Sequence, residues 1–168
     1  MGESILNGKR ILAVDDEPDV LATLKEQILG TAPECKFEMA TTYVGAVEKI
    51  KSHTYDVIIL DIMGIRGFDL LESAVKRGFR AAMLTAHALN YQALNHSFKM
   101  GAMAYIPKEK LGEIVSFLED VLNHEHLPGW KSLMKKLKRF FDSKFESDWE
   151  KKTDLPWKEW GEFLRRMD

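Results

Sequence analysis

Cysteine is nearly absent: Cys35 is the only one in 168 residues. A single thiol closes no internal disulfide, so a reducing compartment fits and packing must hold the chain. Long apolar runs are missing too. No window approaches the ~18 apolar residues of a membrane span. No long apolar segment follows the first charges, so no secretory leader is expected. These absences make the cytoplasm the expected location. An excess of either charge is also lacking, since 24 Lys/Arg face 26 Asp/Glu. Such a balance predicts no particular partner. Gly64 and Gly67 do not form a glycine-rich nucleotide loop. Neither an internal repeat nor a low-complexity stretch occurs.

What is present is the composition of a folded domain, 45% hydrophobic and 30% charged. The length suits one domain with an appendage. The clearest strand is Val57-Ile58-Ile59-Leu60, an apolar run held between Asp56 and Asp61. Unbroken apolar runs of this kind read as strands buried on both faces of a parallel sheet. Ile11 to Val14 makes another, followed by Asp15-Asp16-Glu17-Pro18. Pro18 suits the first turn of a helix. Val20, Leu21, Leu24 and Ile28 then recur at helical spacing up to Gly30.

The alternation continues. Cys35 to Thr41 reads as a strand, with Cys35 packed as a small hydrophobe. Tyr43 to Ser52 reads as a helix with Val44, Val47 and Ile50 inward. A helix opening at Gly67 turns Phe68, Leu71, Ala74 and Val75 inward. Arg80 to Ala86 is a strand, Leu89 to Met100 a weaker helix, and Ala102 to Ile106 a fifth strand. Leu111, Ile114, Val115, Leu118, Val121 and Leu122 make an amphipathic helix. Five strands alternating with five helices imply an α/β fold, a parallel sheet covered on both faces.

In such sheets the functional edge lies beyond the carboxyl ends of the strands. Those ends offer Asp15 and Asp16, then Asp61, Thr85 and Lys108. Three carboxylates in close quarters repel one another, and a hard divalent cation removes that penalty. Mg²⁺, a lysine and a free carboxylate together describe a phosphoryl-transfer site. Acidic turns after strands are common one at a time; the ordered set, each after its own strand, is not.

Four segments carry a resemblance: Ile-Leu-Ala-Val-Asp-Asp-Glu-Pro (11 to 18), Val-Ile-Ile-Leu-Asp-Ile-Met (57 to 63), Leu-Thr-Ala (84 to 86) and Gly-Ala-Met-Ala-Tyr-Ile-Pro-Lys (101 to 108). From about Lys9 to Asn123 the chain resembles the receiver domain of two-component response regulators. The resemblance implies a flavodoxin-like, doubly wound (βα)5 sheet of order 2-1-3-4-5, and a phosphoaspartate switch fed by a histidine kinase or phosphotransfer protein. It implies Asp61 as phosphoacceptor. Asp16, Asp61 and the Met63 backbone carbonyl would ligate Mg²⁺, with Asp15 acting through water. Lys108 would pair with the phosphoryl group, Thr85 would move its hydroxyl onto it, and Tyr105 would swing inward. From spacing alone, Tyr105 reads as ordinary packing.

The chain departs from the family pattern after Asp61. Met63 runs into Gly64-Ile65-Arg66-Gly67, without the usual proline and two residues short. Glu109 stands where proline commonly follows the lysine. No more than self-phosphorylation and self-dephosphorylation is expected as enzymatic activity. A Mg²⁺-dependent phosphatase would place a second aspartate where Met63 stands. A scaffold that kept the fold without phosphorylation is the alternative, supported by the altered loop. His124 and His126 alternate on a helix end and point apart, against a metal site. His87 is expected in an exposed loop.

The composition changes at Leu127-Pro128-Gly129, suggesting a receiver over 1–127 and a helical extension over 128–168. The extension holds all four tryptophans and 11 Lys/Arg against 8 Asp/Glu. Trp130, Leu133, Met134, Leu137, Phe140 and Phe141 fall at helical spacing. A second short helical pattern carries Trp157, Trp160, Phe163, Leu164 and Met167. Acidic residues interrupt the basic ones, which disfavours DNA as partner. A basic amphipathic helix also has the composition of one lying on a membrane surface. The favoured expectation is that the stripe packs on the receiver, on a second copy or on a protein output partner.

Overall fold

The computed structural model describes residues 3–87 and 90–160. Five strands, β1 (Arg10–Val14), β2 (Lys36–Ala40), β3 (Val57–Asp61), β4 (Arg80–Thr85) and β5 (Ala104–Pro107), form one sheet of order β2-β1-β3-β4-β5. Every pairing is parallel. The central strand β3 is buried at all five positions, as its unbroken apolar sequence requires. The expected α/β, flavodoxin-like sheet order is therefore observed.

Helices α1 (Pro18–Thr31), α2 (Tyr43–Ser52), α3 (Gly67–Lys76), α4 (Tyr91–Lys99) and α5 (Ile114–Asn123) connect or follow the strands. Helix α1 starts on Pro18, buries Val20, Leu21, Leu24 and Ile28, and runs one residue past Gly30. The Thr42 hydroxyl caps α2 by accepting the Gly45 N–H at 3.0 Å. Its inward face differs from the expected one. Ala46 and Ile50 are buried while Val44 is 66% exposed. Two β-branched residues near the start misled the phase, and the small Ala46 takes the close approach to the sheet. Leu111 does not join the last receiver helix, against its spacing. It lies instead in a 3₁₀ segment, Lys108–Glu113, that joins β5 to α5.

Helix α6 (His126–Lys144) follows α5 after only His124 and Glu125. Leu127-Pro128-Gly129, where the composition changes, is its first turn. Proline is tolerated there because the first helical N–H groups have no intrahelical partner. The face predicted as apolar is buried: Trp130, Leu133, Met134, Leu137 and Phe141. It packs on α5 and β5. The Trp130 indole N–H donates to the Ala102 carbonyl at 2.7 Å, so its one polar atom is satisfied inside the core. Burial of five such side chains is worth roughly 10 kcal/mol before entropy is charged against it. The stripe is thus occupied within the chain, which is one of the expected outcomes. A 3₁₀ turn, Trp149–Lys152, follows, and residues 157–160 are helical. The remainder of that second pattern, with Phe163, Leu164 and Met167, lies outside the described residues, as does Leu89 before α4. No helix among the described residues is long and apolar enough to cross a membrane.

Candidate functional site

The site forms where β1, β3, β4 and β5 end on the same edge of the sheet. Asp15 and Asp16 follow Val14, the last residue of β1. Asp61 closes β3 and is paired in register with Leu84. Thr85 closes β4, opposite Pro107, and Lys108 is the next residue after β5. Parallel register therefore delivers these side chains to one rim, because each strand exits at nearly the same level.

The rim is a dry, crowded arrangement of charge. Asp15 is 1% exposed and Asp61 4% exposed, whereas Asp16 faces solvent. One carboxylate oxygen from each of the three lies within 4.8 Å of the others. The Lys108 ammonium sits against them, 3.0 Å from Asp15 Oδ2, 3.4 Å from Asp61 Oδ1 and 3.1 Å from Glu17 Oε1. Burial pushes the Asp61 carboxyl up to about 6, and the negative Asp15 adds to the rise; Lys108 opposes it. Lys108 is held above its ordinary value: burial works against its charge, and its bonds to Asp15 and Glu17 more than offset that. Glu17 was not anticipated as a partner of this lysine. The signal for it was its place directly after Asp15-Asp16 at the exit of β1.

Local turns fix the carboxylates. Asp15 Oδ1 accepts the Glu17 N–H at 2.9 Å, an aspartate turn that leads the chain into Pro18 and α1. Its other oxygen, Oδ2, is buried, with the Lys108 ammonium at 3.0 Å and no further polar partner among the described residues. A buried carboxylate oxygen left in this way, aimed among two other carboxylates, fits a hard cation. Oxygen donors only, with one side open at Asp16, are the ligands such an ion takes with water completing its shell.

The shortened loop after Asp61 is built around two glycines. Gly64 adopts φ +92°, and a Cβ there would stand 2.8 Å from Asp16 Oδ2. Proline, with φ near −65°, has no place at this position. At Gly67 a Cβ would stand 2.1 Å from the Asp61 carbonyl oxygen. Helix α3 therefore begins directly against the Asp61 backbone. Arg66, the one non-glycine residue with positive φ among the described residues, lies between them at φ 51°. Its guanidinium is 4.2 Å from the centre of the Tyr43 ring and donates to Asp69 at 2.7 Å. These contacts tie the loop down on the α2 and α3 sides. Met63, in the same loop, exposes its side chain.

Thr85 and Tyr105 are both buried. The Thr85 hydroxyl oxygen accepts the His87 N–H at 2.9 Å, and the Tyr105 hydroxyl donates to the His87 carbonyl at 3.4 Å. Tyr105 is thus inside the fold, with its hydroxyl at the loop after β4. His87 itself is exposed, as expected. His124 and His126 face separate backbone carbonyls, of Asp120 and Phe98, each at 2.9 Å, and form no joint site.

Residues 11–119 match the family model of the response regulator receiver domain. The chain belongs to that family. A two-component response regulator of Arabidopsis thaliana, ARR18, is 33% identical over 107 residues, which are 60% of this chain and 16% of that protein. The chain therefore spans only a small part of that relative's length. Among solved structures, response regulator TrrA from Thermotoga maritima, crystallised in complex with Mg²⁺ and BeF, is 30% identical with a TM-score of 0.58. That match covers 68% of this chain and 99% of TrrA. A CheY-like receiver domain protein from Methanospirillum hungatei is 27% identical with a TM-score of 0.57, over 68% of this chain and 96% of its own. Receiver domains are the switch components of two-component signalling, and this chain has their fold.

Proposed function

We propose that the chain is a phosphoaspartate switch, with Asp61 as acceptor and a histidine kinase or phosphotransfer protein as donor. The observation that carries this reading is the convergence of Asp15, Asp16 and Asp61 within 4.8 Å, with the Lys108 ammonium against two of them. A carboxylate oxygen of Asp61 would attack phosphorus, forming the acyl phosphate O–P bond as the donor's N–P bond breaks and its electron pair returns to the imidazole nitrogen.

Asp61 is poised for this. Its raised carboxyl is still mostly ionised at neutral pH, and burial keeps water from competing at the acceptor oxygen. Lys108 would move from Asp15 and Asp61 toward the incoming phosphoryl oxygens and neutralise them. Asp16, Asp61 and the Met63 carbonyl would hold Mg²⁺, with Asp15 one water removed; when bound, the ion offsets the negative charge that gathers in transfer. Thr85 would turn its hydroxyl from the His87 N–H onto the new phosphoryl group. Tyr105 would serve as the aromatic half of the same switch. Output would pass through protein contacts, in a cytoplasmic setting.

The test is uptake of acid- and base-labile, hydroxylamine-sensitive phosphate from a small phosphoramidate donor with Mg²⁺. Wild type is expected to label and Asp61→Asn to fall to background. Absence of uptake by wild type would favour a scaffold that kept the receiver fold without phosphorylation. Equal labelling of both proteins would move the acceptor elsewhere.

A further inference from the structure

The segment beyond α6 grips one receiver helix, α4, from outside. The Phe145 ring stacks on Tyr91, the first residue of α4, with centroids 4.6 Å apart. One turn on, Asn95 bonds the clasping backbone twice. Its amide donates to the Lys152 carbonyl at 3.3 Å, and its oxygen accepts the Asp154 N–H at 2.8 Å. Lys99 pairs with Asp154 at 2.8 Å at the end of the same helix. Residues 145–154 thus contact the start, middle and end of α4.

The same helix is linked by hydrogen bonds to the rim. The Thr85 hydroxyl accepts from His87 N–H, the His87 carbonyl accepts from Asn90 N–H at 3.2 Å, and the Asn90 side chain caps α4 by accepting Ala93 N–H at 3.0 Å. Thr85 stands one residue beyond Leu84, the register partner of Asp61. A group that draws the Thr85 hydroxyl toward Asp61 pulls it off the first bond of this chain. The displacement then falls on the cap of α4 and on the contacts α4 makes outside.

Magnitudes decide what can move. The body of α6 is seated by Trp130 and a continuous buried stripe. Coupling between two sites in a protein changes affinities by about 5–150-fold, too little to extract such a helix. The α4 clasp is different in kind. It consists of one ring stack, the Lys152 ammonium 5.4 Å from the centre of the Tyr91 ring, two hydrogen bonds to Asn95 and an ion pair between half-exposed partners. Contacts of this sort lie within reach of that coupling.

We propose that residues 145–154 are an intramolecular ligand of α4 that loosens when Asp61 carries a phosphoryl group. This rests on the phosphoacceptor reading of Asp61 and names how that site would be regulated. Coupling is reciprocal, so a clasp that is loosened by the phosphoryl group also opposes its binding.

The experiment uses the full chain with Mg²⁺ and beryllofluoride as the phosphoryl mimic, followed by hydrogen exchange and mass spectrometry. The mimic is expected to slow exchange in the rim peptide around residues 61–68 and to speed it several-fold in the peptide containing Asp154. Asn95→Ala, a surface substitution, is expected to lower the beryllofluoride concentration needed at the rim by several-fold. A protected rim with an unchanged clasp peptide, or an unchanged midpoint in Asn95→Ala, would overturn the clasp proposal and leave the acceptor reading standing. A rim that fails to respond in wild type would overturn the acceptor reading and the clasp proposal with it.

Discussion

The rim and the tail are opposite solutions to the same problem of burying side chains. At the rim, Asp15 and Asp61 are nearly as buried as core leucines, yet their charges repel and Lys108 balances them only in part. In the tail, Trp130 is buried against the Phe98 ring and Trp149 against the Phe141 ring, and the two indole N–H groups are paired to Ala102 and Asp142. One region stores unfavourable charge that a cation would relieve. The other supplies apolar burial with little left unsatisfied. Stability and chemistry are therefore segregated, and substitutions in the two places should act with opposite signs.

The largest expected stability effect is in the tail. Trp130→Ala removes a fully buried ring and leaves the Ala102 carbonyl without its donor. A loss of about 3–5 kcal/mol is expected in urea unfolding. A loss below about 1 kcal/mol would mean that α6 does not belong to the core, and the comparison would fail. The loop below the rim comes next. Gly67→Ala forces a methyl onto the Asp61 carbonyl oxygen, so the start of α3 must shift. About 1–3 kcal/mol of stability should go, together with weaker binding of Mg²⁺ at the rim, read by titration calorimetry. Smaller still is Glu72→Ala, which breaks an exposed pair with Lys76 on α3. That change should stay below about 0.5 kcal/mol. Cys35 gives a sharper view of the packing without any substitution. Burial raises its thiol to about 11, so it should resist a thiol reagent at pH 8 until the chain unfolds.

Much of the rim was legible in the sequence because strand ends in a parallel sheet map onto one edge. Once Val57 to Leu60 and its counterparts were read as strands, Asp15, Asp16, Asp61, Thr85 and Lys108 had to converge. Helix phase was less legible. Val44 looked like a core residue by type, but the sheet takes Ala46 and leaves Val44 outside. Helix starts were less legible where a residue's meaning depends on position within an element. Pro128 and Gly129 looked like a break, yet a first turn accepts both. The two close approaches at Gly64 and Gly67 depend on long-range geometry that no local pattern encodes. The apolar stripe of α6 was visible; its seat against α5 and β5 was one of several surfaces it could have matched.

The sign of the rim's contribution follows from its titration. Asp61 is raised from its ordinary 3.8 to about 6, so the native state holds more protons than the unfolded one between those values. Stability from this group is present below about pH 3.8 and is lost as pH rises through 6. At pH 7 the charged Asp61 therefore costs the metal-free fold about 1–3 kcal/mol. The direct measurement is urea unfolding of wild type and Asp61→Asn at pH 7, each with and without Mg²⁺. Without the ion, Asp61→Asn should be the more stable by about 1–3 kcal/mol. With Mg²⁺, wild type should gain more than the variant, and the gap should close or reverse. A wild type more stable than Asp61→Asn in the absence of Mg²⁺, or equal insensitivity of both to the ion, would contradict a rim built to hold charge against the fold.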